Sequence, residues 1–76
     1  MSLAELRADT HAVISGIRLE EADAAWLRAM GVVEGQPVRV LRSAPFGGPL
    51  QVQVGEAAFA LARSLAAAVD VTTRVG

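Results

Sequence analysis

Alternating apolar and polar residues mark two segments in the middle of the chain. The segments are 38–42 (VRVLR) and 50–54 (LQVQV), and between them lie residues 44–49, which have the sequence APFGGP. A period of two predicts strands with one buried face, and a short connection rich in Gly and Pro predicts that the two strands pair. The pattern therefore predicts a β-hairpin with residues 44–49 at its tip.

Three further strands are predicted around this hairpin. Residues 12–18 (AVISGIR) predict a first strand, and Gly16 within it indicates a bend or bulge. Residues 57–62 predict a strand after the tight turn that follows the hairpin. The alternation of residues 69–74 (VDVTTR) predicts a last strand near the end of the chain.

Helical segments are predicted between and before the strands. Residues 20–30 predict the longest helix, and Gly31 follows it as the expected stop signal. Ser64 is predicted to cap a one-turn helix before the last strand. Ser2 and Glu5 have the spacing of a capping box, which predicts a short turn at the N-terminus.

The longest helix carries the single tryptophan of the chain. Ala22, Trp26 and Met30 follow one another at intervals of four residues, and Leu27 widens the same stripe. This phase favours a core position for Trp26. If Trp26 instead faces outward, it becomes a candidate anchor for a partner, because tryptophan is enriched in binding hot spots.

The order of these elements predicts an all-β fold, a small SH3-like barrel of about five strands that forms one domain over residues 1–76. One short helix follows the first strand, and a one-turn helix precedes the last. Closing the sheet hides strand edges that an open five-stranded sheet exposes. An OB-type barrel is the competing architecture, but its helix usually lies between the third and fourth strands.

Composition narrows the classes of function. The 76 residues include no cysteine and carry a net charge of −1, with all seven basic residues arginine. A near-neutral chain lacks the basic surface of a nucleic-acid binder. No segment reaches the ~20 apolar residues of a membrane span, and the N-terminus does not resemble a signal peptide, so we expect a cytoplasmic protein. We find no catalytic constellation and expect neither an enzyme nor a cofactor.

Two candidate metal sites are weak. His11 is the single histidine and stands near Asp9, but a tight site needs about four ligands. Glu20, Glu21 and Asp23 occupy the first turn of the predicted helix, where carboxylates complement the helix dipole. We therefore assign no metal ligand.

Phe46 and Pro45 are the best candidates for contact with a partner. A phenylalanine at the tip of a hairpin is difficult to bury within its own loop, so the loop either folds back on the barrel or docks into a partner or a second copy of the chain. Gly47 and Gly48 permit positive φ angles in the turn. An exposed loop and uncovered barrel ends are compatible with a homo-oligomer.

The chain resembles the family of ferrous iron transport protein A, FeoA, over about residues 11–72. The resemblance rests on the helix end, the glycine turns, the APFGGP loop and the closing segment: Leu27, Gly31, Gly35, Val38, Val40, Arg42, Ala44, Pro45, Gly47, Gly48, Pro49, Gly55, Ala60, Leu61, Ala67 and Val71. The chain departs from the usual pattern at Trp26, at Met30 in place of leucine, and at Glu34 in place of proline.

The resemblance implies a cytoplasmic, non-enzymatic accessory of the membrane transporter FeoB, whose cytoplasmic portion carries a G-protein domain. For such a contact, the residues themselves suggest a surface made of the loop with Pro45 and Phe46 and the helix with Trp26 and Met30. The family is also similar to the C-terminal SH3-like domain of iron-dependent repressors of the DtxR type. The alternative is therefore a stand-alone regulatory domain that binds a metal ion or a peptide.

Overall fold

The computed structural model describes residues 1–73. A 3₁₀ turn at Leu3–Glu5 comes first, followed by five strands and two helices: β1 His11–Ile17, α1 Glu21–Ala29, β2 Pro37–Ser43, β3 Leu50–Val54, β4 Ala57–Leu61, α2 Arg63–Ala66 and β5 Val69–Thr73. This is the predicted order of five strands, with a helix after the first and a one-turn helix before the last. None of the helices within residues 1–73 is long and apolar enough to span a membrane.

The strands form one antiparallel sheet in the order β4-β3-β2-β1-β5. The predicted hairpin is β2–β3, with Ser43 opposite Leu50 at the base of its loop. The register shifts between Ile14 and Gly16 where β1 meets β5, which confirms the predicted irregularity at this glycine. A second shift, which the sequence did not indicate, falls at Leu41 in β2.

The alternation of the hairpin places one row of side chains in the core. The inward residues of β2 and β3 are at most 3% exposed: Val38, Val40, Leu50, Val52 and Val54. All five strands, the 3₁₀ turn and both helices contribute side chains to the same cluster or its margin, and the chain crosses from β4 to β5 through α2. The sheet therefore wraps around a single apolar core.

The predicted buried stripe of α1 is wrong except at Leu27. Ala24 and Leu27 are the buried residues of this helix, whereas Ala22 is exposed and Trp26 retains 48% of its surface. Because consecutive helical residues point about 100° apart, a helix that buries the 24/27 face turns Trp26 away from the core.

The ends of the helices agree only in part with the sequence. Gly31 has a φ of 95° and stops α1 as predicted, with the Val32 N–H donating to the Leu27 carbonyl. Ser64 does not cap α2, because the helix begins at Arg63 and Ala62 occupies the N-cap. At the N-terminus, the Ser2 N–H donates to the Glu5 carboxylate, as in a capping box, and this bond lowers the pKa of Glu5.

Candidate interaction surface

The loop between β2 and β3 is a tight, internally bonded turn. The Ala44 N–H donates to the Pro49 carbonyl at 3.0 Å, and the Gly48 N–H donates to the Pro45 carbonyl at 3.2 Å. The two central residues of the inner turn, Phe46 and Gly47, have φ angles of 59° and 72°. A four-residue turn with positive φ at both central positions matches type I′, the geometry that suits the twist of a hairpin.

Phe46 is held at the tip in a conformation that its residue type disfavours. Its side chain is 103% exposed, so the loop does not fold back on the barrel. A left-handed backbone costs a non-glycine residue roughly 1–2 kcal/mol, and bulky residues are rare there. Asp9, at φ 66°, also has this backbone, but it belongs to the residue types enriched in that region and its carboxylate accepts a hydrogen bond from Arg39.

Gly48 is fixed by the close approach of the two sides of the loop. A Cβ atom at this position would lie 2.8 Å from the Ala44 Cβ and 3.2 Å from the Pro45 carbonyl oxygen. A larger residue therefore cannot enter without opening the turn, so the glycine allows the loop to close beneath Phe46.

Arg63, the first residue of α2, reaches both sides of this loop. Its Nε donates to the Gly48 carbonyl at 3.1 Å, and its Nη2 donates to the Ser43 hydroxyl at 2.8 Å and the Ala44 carbonyl at 3.3 Å. Its Nη1 donates to the Ala4 carbonyl at 3.4 Å. No local sequence signal indicates this role, because the acceptors lie 15 to 59 residues away along the chain.

Trp26 and Met30 form a second exposed patch, one helical turn apart on α1, with Met30 only half-buried. Gly31, directly after them, lies at the Val54 end of β3, since a Cβ there would be 3.8 Å from the Val54 Cγ1. The loop with Pro45 and Phe46 starts from the other end of β3, about 13 Å away along a five-residue strand. The four predicted contact residues therefore fall into two patches at different ends of the sheet.

His11 lies exposed at the start of β1, opposite Arg39 of β2, which in turn lies opposite Gln53 of β3. These three residues help to line an open depression of about 370 Å³. The Arg39 guanidinium donates to the Asp9 carboxylate at 2.7 Å. Within residues 1–73, no group of three or more His, Cys, Asp or Glu side chains is placed to hold a metal ion.

A further arginine ties the end of β1 to the start of β5. The Arg18 Nε donates to both carboxylate oxygens of Asp70, at 3.1 and 3.0 Å, and its Nη2 donates to the Ala67 carbonyl at 3.0 Å. The hydrogen bonds from Arg18 lower the pKa of Asp70. This pair stabilises the strand register and lies outside both exposed patches.

Comparison with known proteins identifies a family model that matches almost all of the chain. The model of the FeoA domain matches residues 1–73. FeoA of Chlorobium tepidum has a TM-score of 0.92 and 32% identity, covering 100% of this chain and 72% of that one. FeoA of Stenotrophomonas maltophilia, complexed with zinc, has a TM-score of 0.83 and 42% identity, covering 95% and 89%. That protein is described as an SH3 domain protein, for which a role as a ferrous iron transport activating factor has been suggested.

More distant similarity extends to a manganese-dependent transcriptional repressor. The TM-score is 0.89 at 20% identity, and the alignment covers 97% of this chain and 41% of the repressor. At this identity the likeness shows a shared fold. No curated protein sequence matches this chain. The structural relatives confirm the predicted SH3-like fold.

Proposed function

Because the chain belongs to the FeoA family, we propose that it is a cytoplasmic accessory protein of ferrous iron uptake that binds the membrane transporter FeoB. The observation that carries this proposal is the position of Phe46: a fully exposed aromatic ring on a closed turn, held in a disfavoured backbone conformation. The ring buries no surface within its own chain. Strain without a folding benefit is typical of functional sites.

The surroundings of Phe46 suit a protein partner. Pro45 and Pro49 flank the ring, and a cleft of about 250 Å³ beside them is also lined by Arg42, Gln51 and Ala60. An aromatic anchor next to prolines and one arginine resembles the composition of interface cores, which are enriched in aromatic residues and arginine. The proposed mode of action is therefore contact, with the ring entering an apolar pocket of the transporter's cytoplasmic portion.

Titration of the isolated cytoplasmic portion of the transporter with the 76-residue chain tests this proposal. We expect saturable binding, and we expect Phe46→Ala to weaken it by ~30-fold or more, the loss of at least about 2 kcal/mol that defines a hot spot. Val33→Ala is the matched control. Val33 is also an exposed apolar residue, and it comes before the start of β2, whereas the Phe46 loop follows the end of β2. Absence of binding by the folded wild-type chain at high micromolar concentration would contradict the proposal.

The alternative of a stand-alone regulatory domain receives less support from the geometry. The fold is shared with a repressor and the Stenotrophomonas relative binds zinc, but residues 1–73 bring together no group of three metal-ligating side chains. Calorimetry with Fe²⁺ or Mn²⁺ under anaerobic conditions separates the two ideas. A stoichiometric site with micromolar affinity in the absence of the transporter would favour the regulatory domain.

A further inference from the structure

Among residues 1–73, Arg63 is the one residue whose side chain donates hydrogen bonds to both sides of the Phe46 loop. Its hydrogen bonds reach Ser43 and Ala44 before the tip and Gly48 after it. A fourth bond, to the Ala4 carbonyl, ties the same guanidinium to the N-terminal 3₁₀ turn. The loop is therefore joined through one side chain to two elements that are distant in sequence.

Arg63 is well placed to serve as an anchor because its own backbone is fixed. It follows Leu61, which is 1% exposed, and begins α2, in which Ala66 is fully buried. The Ala67 N–H donates back to the Arg63 carbonyl at 2.9 Å. Movement of the guanidinium is thereby restricted to the side chain, whose planar fork spreads its donors in fixed directions.

The loop needs such an anchor. Its tip contains Gly47 and Gly48, and Phe46 and Gly47 have positive φ angles. The ring of Phe46 contributes no core packing. Two backbone hydrogen bonds close the turn from within. A loop that is already ordered loses less conformational entropy on binding, so an external anchor increases affinity without touching the partner.

We propose that Arg63 is a positioning residue for partner recognition, which holds the loop in the form that presents Phe46; this inference rests on the proposed function. The role depends on the fork of arginine. Lysine keeps the charge but carries all its donors on one nitrogen, so it lacks the separate Nε and Nη2 donors that Arg63 directs to Gly48 and to Ser43.

The test compares Arg63→Lys with Arg7→Lys, a control that makes the same substitution at an exposed position outside the loop and its cleft. We expect Arg63→Lys to lower the backbone NMR order parameters of residues 44–49 and to weaken binding to the transporter's cytoplasmic portion roughly threefold to tenfold. We expect Arg7→Lys to leave the order parameters unchanged. Unaltered order in Arg63→Lys overturns the inference, whether or not the transporter binds.

A double-mutant cycle separates positioning from direct contact or general destabilisation. In a Phe46→Ala background, Arg63→Lys should cause no further loss of affinity, because the ring that it positions is absent. An equal loss in both backgrounds overturns the positioning role.

If Arg63→Lys does not fold, Ser43→Ala removes one of the same hydrogen bonds. The same two outcomes then apply, with a smaller loss of order and of affinity. If the wild-type chain does not bind, the proposed function fails, while the order parameters still decide whether Arg63 restrains the loop.

Discussion

The two exposed patches of this protein have different origins. Trp26 is exposed because α1 buries its neighbour Leu27, so the indole is turned outward as a result of helix packing. Phe46 is exposed on a turn that spends conformational free energy to hold it there, and Arg63 bonds to the base of that turn. Folding explains the first exposure and does not explain the second. For the proposed complex, we therefore expect the loop to be the primary contact and the helix patch a secondary one.

The largest expected effect tests the orientation of α1. Leu27→Ala should lower the free energy of unfolding by about 2–5 kcal/mol, because Leu27 is fully buried and truncation leaves a cavity. Trp26→Ala should cost clearly less, since half of the indole is already in water. Urea denaturation followed by circular dichroism measures both, as Trp26 is the only tryptophan. Equal losses would mean that the helix buries the indole in solution.

The second prediction ranks the two patches by their contribution to binding. Phe46→Ala should weaken binding to the transporter's cytoplasmic portion by at least about 2 kcal/mol, and Trp26→Ala by less than about 1 kcal/mol. Stability should remain within about 0.5 kcal/mol of wild type for Phe46→Ala, because the ring makes no core contact. Isothermal titration calorimetry of the three proteins decides the order. A reversed ranking would transfer the primary contact to the helix.

The sequence predicted the parts of the fold that depend on local pattern. The hairpin follows from strict alternation in two segments, the end of α1 from Gly31, and the irregularity of β1 from Gly16. It also placed Pro45 and Phe46 together, since they are neighbours in one short loop. These signals lie within a few residues of the structure that they determine.

The parts that sequence reasoning missed depend on contacts between distant segments. The α1 segment, EADAAWLRA, contains four alanines, so apolar residues lie on several faces and the large Trp26 and Met30 suggested the wrong one. Arg63 donates to the carbonyl groups of Ala4, Ala44 and Gly48. Because every residue has a backbone carbonyl, the sequence does not show which of them Arg63 reaches. The separation of the loop patch from the helix patch likewise depends on the fold, because Gly31, after α1, lies near Val54 at one end of β3 and the loop joins β3 at its other end.

The third prediction measures the backbone strain in the loop. Phe46→Gly should be more stable than Phe46→Ala by about 1 kcal/mol, because glycine adopts a φ of 59° without the steric cost that alanine retains. The comparison with alanine removes the ring from both variants, so it isolates the backbone. Urea midpoints of the two variants provide the measurement, with Val33→Gly against Val33→Ala as a control at an exposed position. Equal midpoints would show that the loop relaxes out of the left-handed region.

The smallest expected effect is a pH dependence of stability, which we expect from the hydrogen bonds of Arg18 and not from those of Arg63. Arg63 donates to carbonyl and hydroxyl oxygens, which do not titrate, whereas Arg18 donates to the Asp70 carboxylate. Because this bond lowers the pKa of Asp70 in the folded chain below its usual value of 3.8, the unfolded chain takes up the proton first as pH falls. The stabilisation is therefore complete above the unfolded pKa and is lost as pH falls through the folded one.

The measurement compares wild type with Asp70→Asn. The difference between their urea midpoints should be small near neutral pH, since both side chains are partly exposed, and should shrink as the pH falls below about 4. Over the same range, the order parameters of residues 44–49 should stay constant as long as the chain is folded, because the acceptors of Arg63 keep their charge state. Loss of loop order in acid without unfolding would show that a carboxylate supports the Phe46 loop. The acceptors of Arg63 and Arg18 would then no longer differ in their response to pH.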